Sequence, residues 1–396
     1  MRLGWATNKL GEVCVTGSGG TPLKERKEYY EKGTIPWLMS GEVGQGEVTS
    51  AANFITRKGL ENSAAKLFPK NTILVAMYGA TAGQVGILRF EAATNQAVCG
   101  ILPNDHFVPE FLFYLMLSKK DELVAQATGN AQPNISQIKI KGTDVPLVTI
   151  AEQNRIVGIL DEAFERIAKA KANAEKNLQN ARALFESYLE STFSQPGNGW
   201  VETRLGDVVT RLTNGYVGPT RSIYHESGVP YLLARHVKKN RLSFDGKTFI
   251  TDEFNRKHKK SMLKAGDVLL VQSGHIGHSA VVTEDHEGHN CHAMIVITPV
   301  KGTLTGPFLS LCFNSPGMQQ EFEKIRSGST VPHLTCGAVK ELSVTLPDLV
   351  TQQRLVDHAQ NLADETKRLE SVYQQKLAAL EELKKSLLHQ AFEGAL

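Results

Sequence analysis

Residues Gln153–Phe193 read QNRIVGILDEAFERIAKAKANAEKNLQNARALFESYLESTF, and residues Gln352–Phe392 read QQRLVDHAQNLADETKRLESVYQQKLAALEELKKSLLHQAF. Laid over one another they align without a gap: Arg155 over Arg354, Ala181-x-x-Leu184 over Leu380-x-x-Leu383, Leu189 over Leu388 and Phe193 over Phe392. In the first copy apolar or small residues alternate four and three apart, at Ile156, Leu160, Ala163, Ile167, Ala170, Ala174, Ala181, Leu184 and Tyr188. That rhythm keeps a stripe on one side of a long helix wound against another. Asn177 is the polar break in the stripe, and Lys376 breaks the second copy at the same place. Unrelated helices would not share phase, length and interruption, so each stretch reads as part of an internal repeat. The stripes predict antiparallel pairing with small residues facing large: Leu160 against Leu383, Ala170 against Tyr373, Ala174 against Leu369, Asn177 against Thr366.

Upstream of each helix the repeat continues. Trp5 followed by Leu10-Gly11-Glu12-Val13 is answered by Trp200 followed by Leu205-Gly206-Asp207-Val208. Gly19-Gly20-Thr21-Pro22 has a looser echo in Gly215 to Thr220, and Ile35-Pro36-Trp37-Leu38 matches Val229-Pro230-Tyr231-Leu232, as turn and then strand. The apolar runs 72–78 and 268–273 each end on a glycine loop, at Gly79 and Gly274; strands at 97–102 and 293–298 and a short helix follow in both halves. The expected fold is α/β (mixed α+β) and pseudo-twofold symmetric. It has one domain at 1–150, a long helix at 151–195, the second domain at 196–350 and the second helix at 351–396. Proline and glycine at Pro196-Gly197-Asn198-Gly199 stop the first helix.

A chain of 396 residues is long enough for two or three domains, and a net charge of +3 is too near neutral to announce a nucleic-acid protein by itself. Five scattered cysteines without a Cys-x-x-Cys pair suit free thiols in a reducing compartment. The opening MRLGWATNKLGE has no apolar signal core, and no stretch approaches the ~18 apolar residues of a membrane span, so a cytoplasmic protein with no membrane partner is expected.

No phosphate-binding loop, nucleophile elbow or His-Glu-x-x-His motif is present, and Gly17-Ser18-Gly19-Gly20 lacks the dinucleotide spacing. The cluster His275, His278, His286, His289, Cys291 and His292 invites a metal reading. Its first-half counterparts include Ala80, Gly83, Glu91 and Thr94, so a zinc site would be private to the second half, and buried polar histidines or a variable binding surface are the alternatives. Local charge says more. Arg235-His236-Val237-Lys238-Lys239-Asn240-Arg241 and Arg256-Lys257-His258-Lys259-Lys260 are basic, and Lys24, Arg26 and Lys27 form a weaker cluster among acids. Such runs are commonly solvated faces. They also suit phosphate contacts, while Asn, Gln, Ser, Thr and His on the neighbouring glycine loops suit reading of base edges.

The chain resembles the specificity subunits of type I restriction-modification systems over essentially its whole length. The likeness rests on the tandem layout, Gly19-Gly20-Thr21-Pro22, Tyr78-Gly79-Ala80-Thr81-Ala82-Gly83-Gln84-Val85-Gly86, Asn95-Gln96-Ala97, Gln132-Pro133-Asn134-Ile135-Ser136 and Ala151-Glu152-Gln153-Asn154-Arg155-Ile156-Val157. The second half departs from this pattern at Thr351 and at Gly274-His275-Ile276-Gly277. The resemblance implies two target-recognition domains, each reading half of a bipartite double-stranded DNA site, spaced by two antiparallel helices. It implies no catalysis and no cofactor on this chain. Two modification subunits, adenine-N6 methyltransferases using S-adenosylmethionine, and restriction subunits driven by ATP with Mg would carry the chemistry. The candidate DNA contacts are Thr21, Lys24, Ser40, Tyr78, Thr81, Gln84, Asn95, Gln96, Gln132 and Asn134 in the first half. In the second they are Thr220, Arg221, Arg235, His236, Lys238, Lys239, Ser273, His275, His278, Asn290 and His333. A stand-alone DNA methyltransferase or nuclease is the competing expectation, and it would need an Asn/Asp-Pro-Pro-Tyr/Phe motif or an acidic metal triad; a coiled-coil adaptor without DNA is a third. Residues 1–195, holding one domain and one helix, are expected to pair with a second copy of themselves, more loosely than the native helices pair.

Overall fold

The computed structural model describes residues 5–128, 134–220, 222–328, 332–393 and 395–396. It divides into two compact units, Met1–Ala174 with Gln375–Leu396, and Glu175–Gln374. The long helices run over Ile150–Ser194 and Leu349–Glu393, so each is shared between the units.

In the first unit a five-stranded sheet has the order Thr16–Ser18, Val98–Ile101, Ile73–Ala76, Val85–Leu88, Gly46–Val48. Its strands are antiparallel except the last pair. Ile73–Ala76 is apolar at every position because both faces are covered, and the two-residue period of a strand divides it between two cores. Ile73 and Val75 pack with Phe111, Leu115, Ile156 and Leu160, whereas Leu74 and Ala76 pack with Leu38, Val43, Val48 and Leu88. A smaller sheet holds Ile35–Leu38 parallel to Ala92–Thr94 and antiparallel to Phe54–Ile55.

The second unit repeats this plan. Val209–Asn214, Met294–Pro299, Val268–Val271 and Ser279–Val281 form its main sheet, and Val229–Leu232 lies parallel to Asn290–Cys291. Val268 and Leu270 again face one core while Leu269 and Val271 face the other.

Both long helices begin alike. Thr149 Oγ1 accepts from Glu152 N at 3.3 Å and Asp348 Oδ1 from Thr351 N at 2.8 Å, satisfying amides that a helix start leaves open. Gln153 and Gln352 are fully buried. Gln153 accepts from Val108 N (2.7 Å) and donates to His106 O (2.8 Å) and Val148 O (3.0 Å). Gln352 accepts from Thr305 N (3.0 Å) and donates to Thr303 O (2.8 Å) and Pro347 O (3.0 Å). The glutamine that opens both repeats thus fastens each helix to the loop ahead of its domain's short helix.

Within each unit the two helix segments run antiparallel, in a register different from the expected one. In the first unit Leu160 is buried in one cluster with Leu388, Ala391 and Phe392, Lys384 Nζ lies 5.0 Å over the Phe164 ring, and Leu383 is 47% exposed. The expected Leu160–Leu383 pairing is therefore corrected by more than one turn. The heptad phase also slips. Asn177, Leu184, Lys376 and Leu383 are all exposed, and their C-terminal neighbours Leu178, Phe185, Leu377 and Lys384 are the partly buried ones. A helix with 3.6 residues per turn drifts against a 3.5-residue repeat. Both helices correct the drift at equivalent positions, so the polar residues Asn177 and Lys376 sit outside the seam rather than in it.

Candidate nucleic-acid interface

At one end of the first unit the start of the glycine loop meets residues Asn134 and Ile135. Tyr78, 38% exposed, forms an antiparallel bridge with Asn134, and Ile135 N donates to Met77 O at 2.8 Å. Gly79 and Gly83 have φ of +71° and +81°, which side chains resist, and Gly83 N closes the loop onto Ala76 O at 2.8 Å. Thr81 Oγ1 donates to Tyr78 O at 3.3 Å. The turn Ser40–Gln45 packs against this loop, bringing Ser40 and Gln84 into the same region. Beside it, Met77 N donates to Ala97 O at 2.7 Å, so Asn95 and Gln96 adjoin Tyr78. Asn95 Oδ1 accepts from Ala97 N at 3.2 Å, and exposed Gln96 is hydrogen-bonded to Thr21 Oγ1. Lys24 is exposed nearby in sequence. Gln132 lies outside the described residues.

The second unit builds the same bridge with other side chains. Ser273 pairs with His333, and Leu334 N donates to Gln272 O at 2.9 Å. Gly274 and Gly277 have φ of +80° and +85°, and Gly277 N closes the loop on Val271 O at 3.0 Å. The exposed His275 ring stacks on His278, centroids 5.2 Å apart and planes 7° apart. Burial pulls the His278 pKa down, helped by the positive charges of His275, Lys239 and Lys238. Those lysines belong to the hairpin Val237–Lys238 and Arg241–Leu242, whose turn residue Asn240 has φ +57° and donates its amide to Ser279 O at 2.8 Å. Lys238 and Arg241 are exposed; Lys239 is tied to Glu186 of the long helix at 2.8 Å, and Arg235 to Asp245 at 3.2 Å.

Two expected contacts are corrected. His236 is 1% exposed, with Nδ1 accepting from Leu233 N at 3.1 Å and Nε2 3.1 Å from Asp245. Asn290 is fully buried and spends its amide on Asn255 (3.0 Å), His258 O (3.1 Å) and Cys291 N (2.9 Å). Both organise loops rather than face solvent. Thr220 is partly buried, its carbonyl accepting from Ile223 N at 3.1 Å, and Arg221 lies outside the described residues. Cys291 is buried, and burial pushes its thiol up to about 12. Among the described residues no three His, Cys, Asp or Glu side chains converge on a metal position.

Sequence reasoning missed Tyr216 and gave His258 and His292 no joint role. The three rings meet beside Phe254: Tyr216–His258 at 4.8 Å, Tyr216–Phe254 at 5.0 Å and Tyr216–His292 at 6.4 Å. They lie far apart in the chain, so no local motif signals them. Each unit offers exposed hydrogen-bonding side chains on its loops, and in the second, among the described residues, no acid pairs with Arg256 or Lys257 as Glu61 and Glu28 pair with Arg57 and Lys58 in the first. Such a set has the groups needed to bind a polyanion and to distinguish polar edges.

A family model described as the type I restriction modification DNA specificity domain matches residues 3–177 and 197–381. The MjaIX specificity subunit of Methanocaldococcus jannaschii is 26% identical over 290 residues, 68% of this chain and 66% of that protein. The EcoR124I/EcoR124II specificity subunit of Escherichia coli is 27% identical over 197 residues, 48% of each. The matches thus span less than two thirds of these relatives. Among solved structures, a chain from a study of complex assembly and conformational transition of the type I R-M system superposes with TM-score 0.77 at 21% identity, covering 100% of this chain and 99% of that one. The HsdS subunit from Thermoanaerobacter tengcongensis gives 0.64 at 19% identity, covering 100% and 98%.

Proposed function

Because this chain belongs to the type I restriction modification DNA specificity family, we propose that it is the DNA-reading subunit of such a complex, each unit binding one half of an interrupted, asymmetric double-stranded site. The observation that carries this reading is the loop bridge built twice on one backbone plan, Tyr78–Asn134 and Ser273–His333, with different side chains in each copy. A repeated scaffold with dissimilar loops supplies two different readers. On this reading methylation and cleavage fall to partners: two adenine-N6 modification subunits holding S-adenosylmethionine, and restriction subunits using ATP and Mg. Exposed Tyr78, Gln96 and Asn134, with partly buried Thr81 and Gln84, face one half-site, and Ser273, His275, His278 and His333 the other, with Lys24, Lys238 and Arg241 on phosphates.

The test is co-expression with the modification subunits in a methylation-free host and sequencing of modified adenines. A split motif with two unlike halves is expected. A continuous motif, or one with identical halves, contradicts the reading.

A further inference from the structure

The units depart from each other most sharply where their backbones agree. Gly20 N donates to Thr94 O at 2.9 Å in the first unit, and Tyr216 N to Cys291 O at 3.0 Å in the second. Asn95 N donates to Leu38 O, and His292 N to Leu232 O, both at 2.9 Å. Tyr216 therefore stands where the first unit has Gly20, and His292 where it has Asn95. The next residue is exposed Gln96 in the first unit; in the second it is Ala293, held at φ +43° with nothing polar to offer. An amide–hydroxyl pair has been exchanged for a group of rings.

The partners of those rings decide what they recognise. His258 Nδ1 lies 2.9 Å from Phe254 O, and a carbonyl only accepts, so Nδ1 carries the hydrogen and Nε2 of the neutral ring is an acceptor. His292 is held from both sides, by the Tyr231 hydroxyl 3.4 Å from Nδ1 and by a hydrogen bond to the Tyr216 backbone, so it fixes Tyr216 rather than reaching outward. The ring group is flanked by exposed Arg256, Lys257, Lys259 and Lys260. In the first unit the equivalent helix, capped by Thr56 as this one is by Thr251, has its cations answered by Glu61 at 2.8 Å and Glu28 at 3.5 Å. Cations without an acid partner among the described residues, beside a ring cluster that holds an acceptor, suit a polyanion whose bases carry amino groups.

We infer that Tyr216, His258 and His292 form a base-reading site of the second unit, in which His258 Nε2 accepts from the exocyclic amino group of adenine or cytosine while Arg256 to Lys260 hold the flanking phosphates. This deepens the DNA-reading function proposed above and rests on it. Adenine N6 and cytosine N4 are the amino donors of the major groove, and guanine and thymine present acceptors there, so the site discriminates amino from keto bases.

The test uses the full chain with its modification subunits and reads the methylated motif. His258→Ala is expected to lower the preference at one position of one half-site by at least about fivefold. Gln96→Ala should do so in the other half-site, and His258→Gln, which keeps an acceptor, should retain the preference. In binding assays Lys257→Ala should flatten the dependence of log K on log salt by roughly one unit, while His258→Ala leaves the slope unchanged. A split motif that His258→Ala leaves intact, or methylation that falls evenly at all sites, overturns the assignment alone. A wild-type chain that yields no split motif overturns the functional reading and the assignment with it.

Discussion

Gly274 and Gly277 hold almost the same φ, +80° and +85°, yet a side chain would meet different surroundings at each. Nothing lies within 4 Å of a Cβ on Gly274, whereas one on Gly277 would sit 2.7 Å from Gln319 Oε1 and 2.8 Å from the Phe322 ring. Gly274→Ala should cost about 1 kcal/mol of left-handed strain, and Gly277→Ala roughly 1–3 kcal/mol more from overpacking. Urea denaturation checks the order, and equal midpoints would contradict it. The loops around these glycines separate positioning from reading. Lys238→Ala should weaken binding to every duplex and flatten the salt slope by about one unit, while His275→Ala should relax one base position by ~1–3 kcal/mol and leave random duplex alone. Competition titrations on cognate and random DNA at several salt concentrations decide it, and parallel losses for both variants would refute the division. The glycine loops were legible in the sequence because glycine at fixed spacing after an apolar run has one conformational reason. His236 and Asn290 misled because a polar side chain near a basic run gives no sign of whether it points outward or satisfies buried backbone.

At the scale of elements the long helices were the most legible feature, since an apolar stripe with this period, sustained over so many turns, is buried only when a long helix pairs with another. Their register was not. Size complementarity between small and large residues favoured Leu160 against Leu383, but the anchoring of each helix to its domain core overrode it: Phe392 packs on Phe111 at 5.2 Å and Phe193 on Phe308 at 5.4 Å. Those aromatic contacts set the axial position of each helix end, and the seam follows. The corrected register has a direct consequence. Leu160→Ala empties a fully buried site and should cost about 2–5 kcal/mol, whereas Leu383→Ala, at a half-exposed position, should stay within about 0.5 kcal/mol. Thermal melts of the two variants distinguish the registers, because the expected pairing would have made the two losses alike.

For the molecule as a whole the sequence disclosed a duplication, but only the register shows how unlike the copies have become along the seam. Lys171 Nζ pairs with Glu381 at 2.6 Å, and Arg182 Nε with Glu370 at 3.4 Å. In the repeat alignment Lys171 corresponds to Glu370 and Arg182 to Glu381, so these are one pair written twice, cationic on the first helix and anionic on the second. A dimer of residues 1–195 would keep the apolar seam, with Leu189 and Phe193 in the places of Leu388 and Phe392. It would also set Lys171 against Arg182 at both pair positions. Exposed pairs are worth about 0–1 kcal/mol each, so exchanging two attractions for two repulsions should weaken such a dimer by about 1–2 kcal/mol, roughly tenfold in dissociation constant. This charge pattern, more than the loss of large residues facing Ala170 and Ala174, is the reason to expect loose self-association. Lys171→Glu in the same fragment sets a carboxylate against Arg182 on both sides and should tighten the dimer by a comparable factor, and high salt should shrink the difference because the pairs lie in water. Sedimentation equilibrium of the two fragments at low and high salt measures it, and identical, salt-independent dissociation constants would show that charge does not select the pairing. If the tightened fragment also directs modification subunits to an interrupted palindrome made of the first half-site twice, each unit reads its DNA independently of the other.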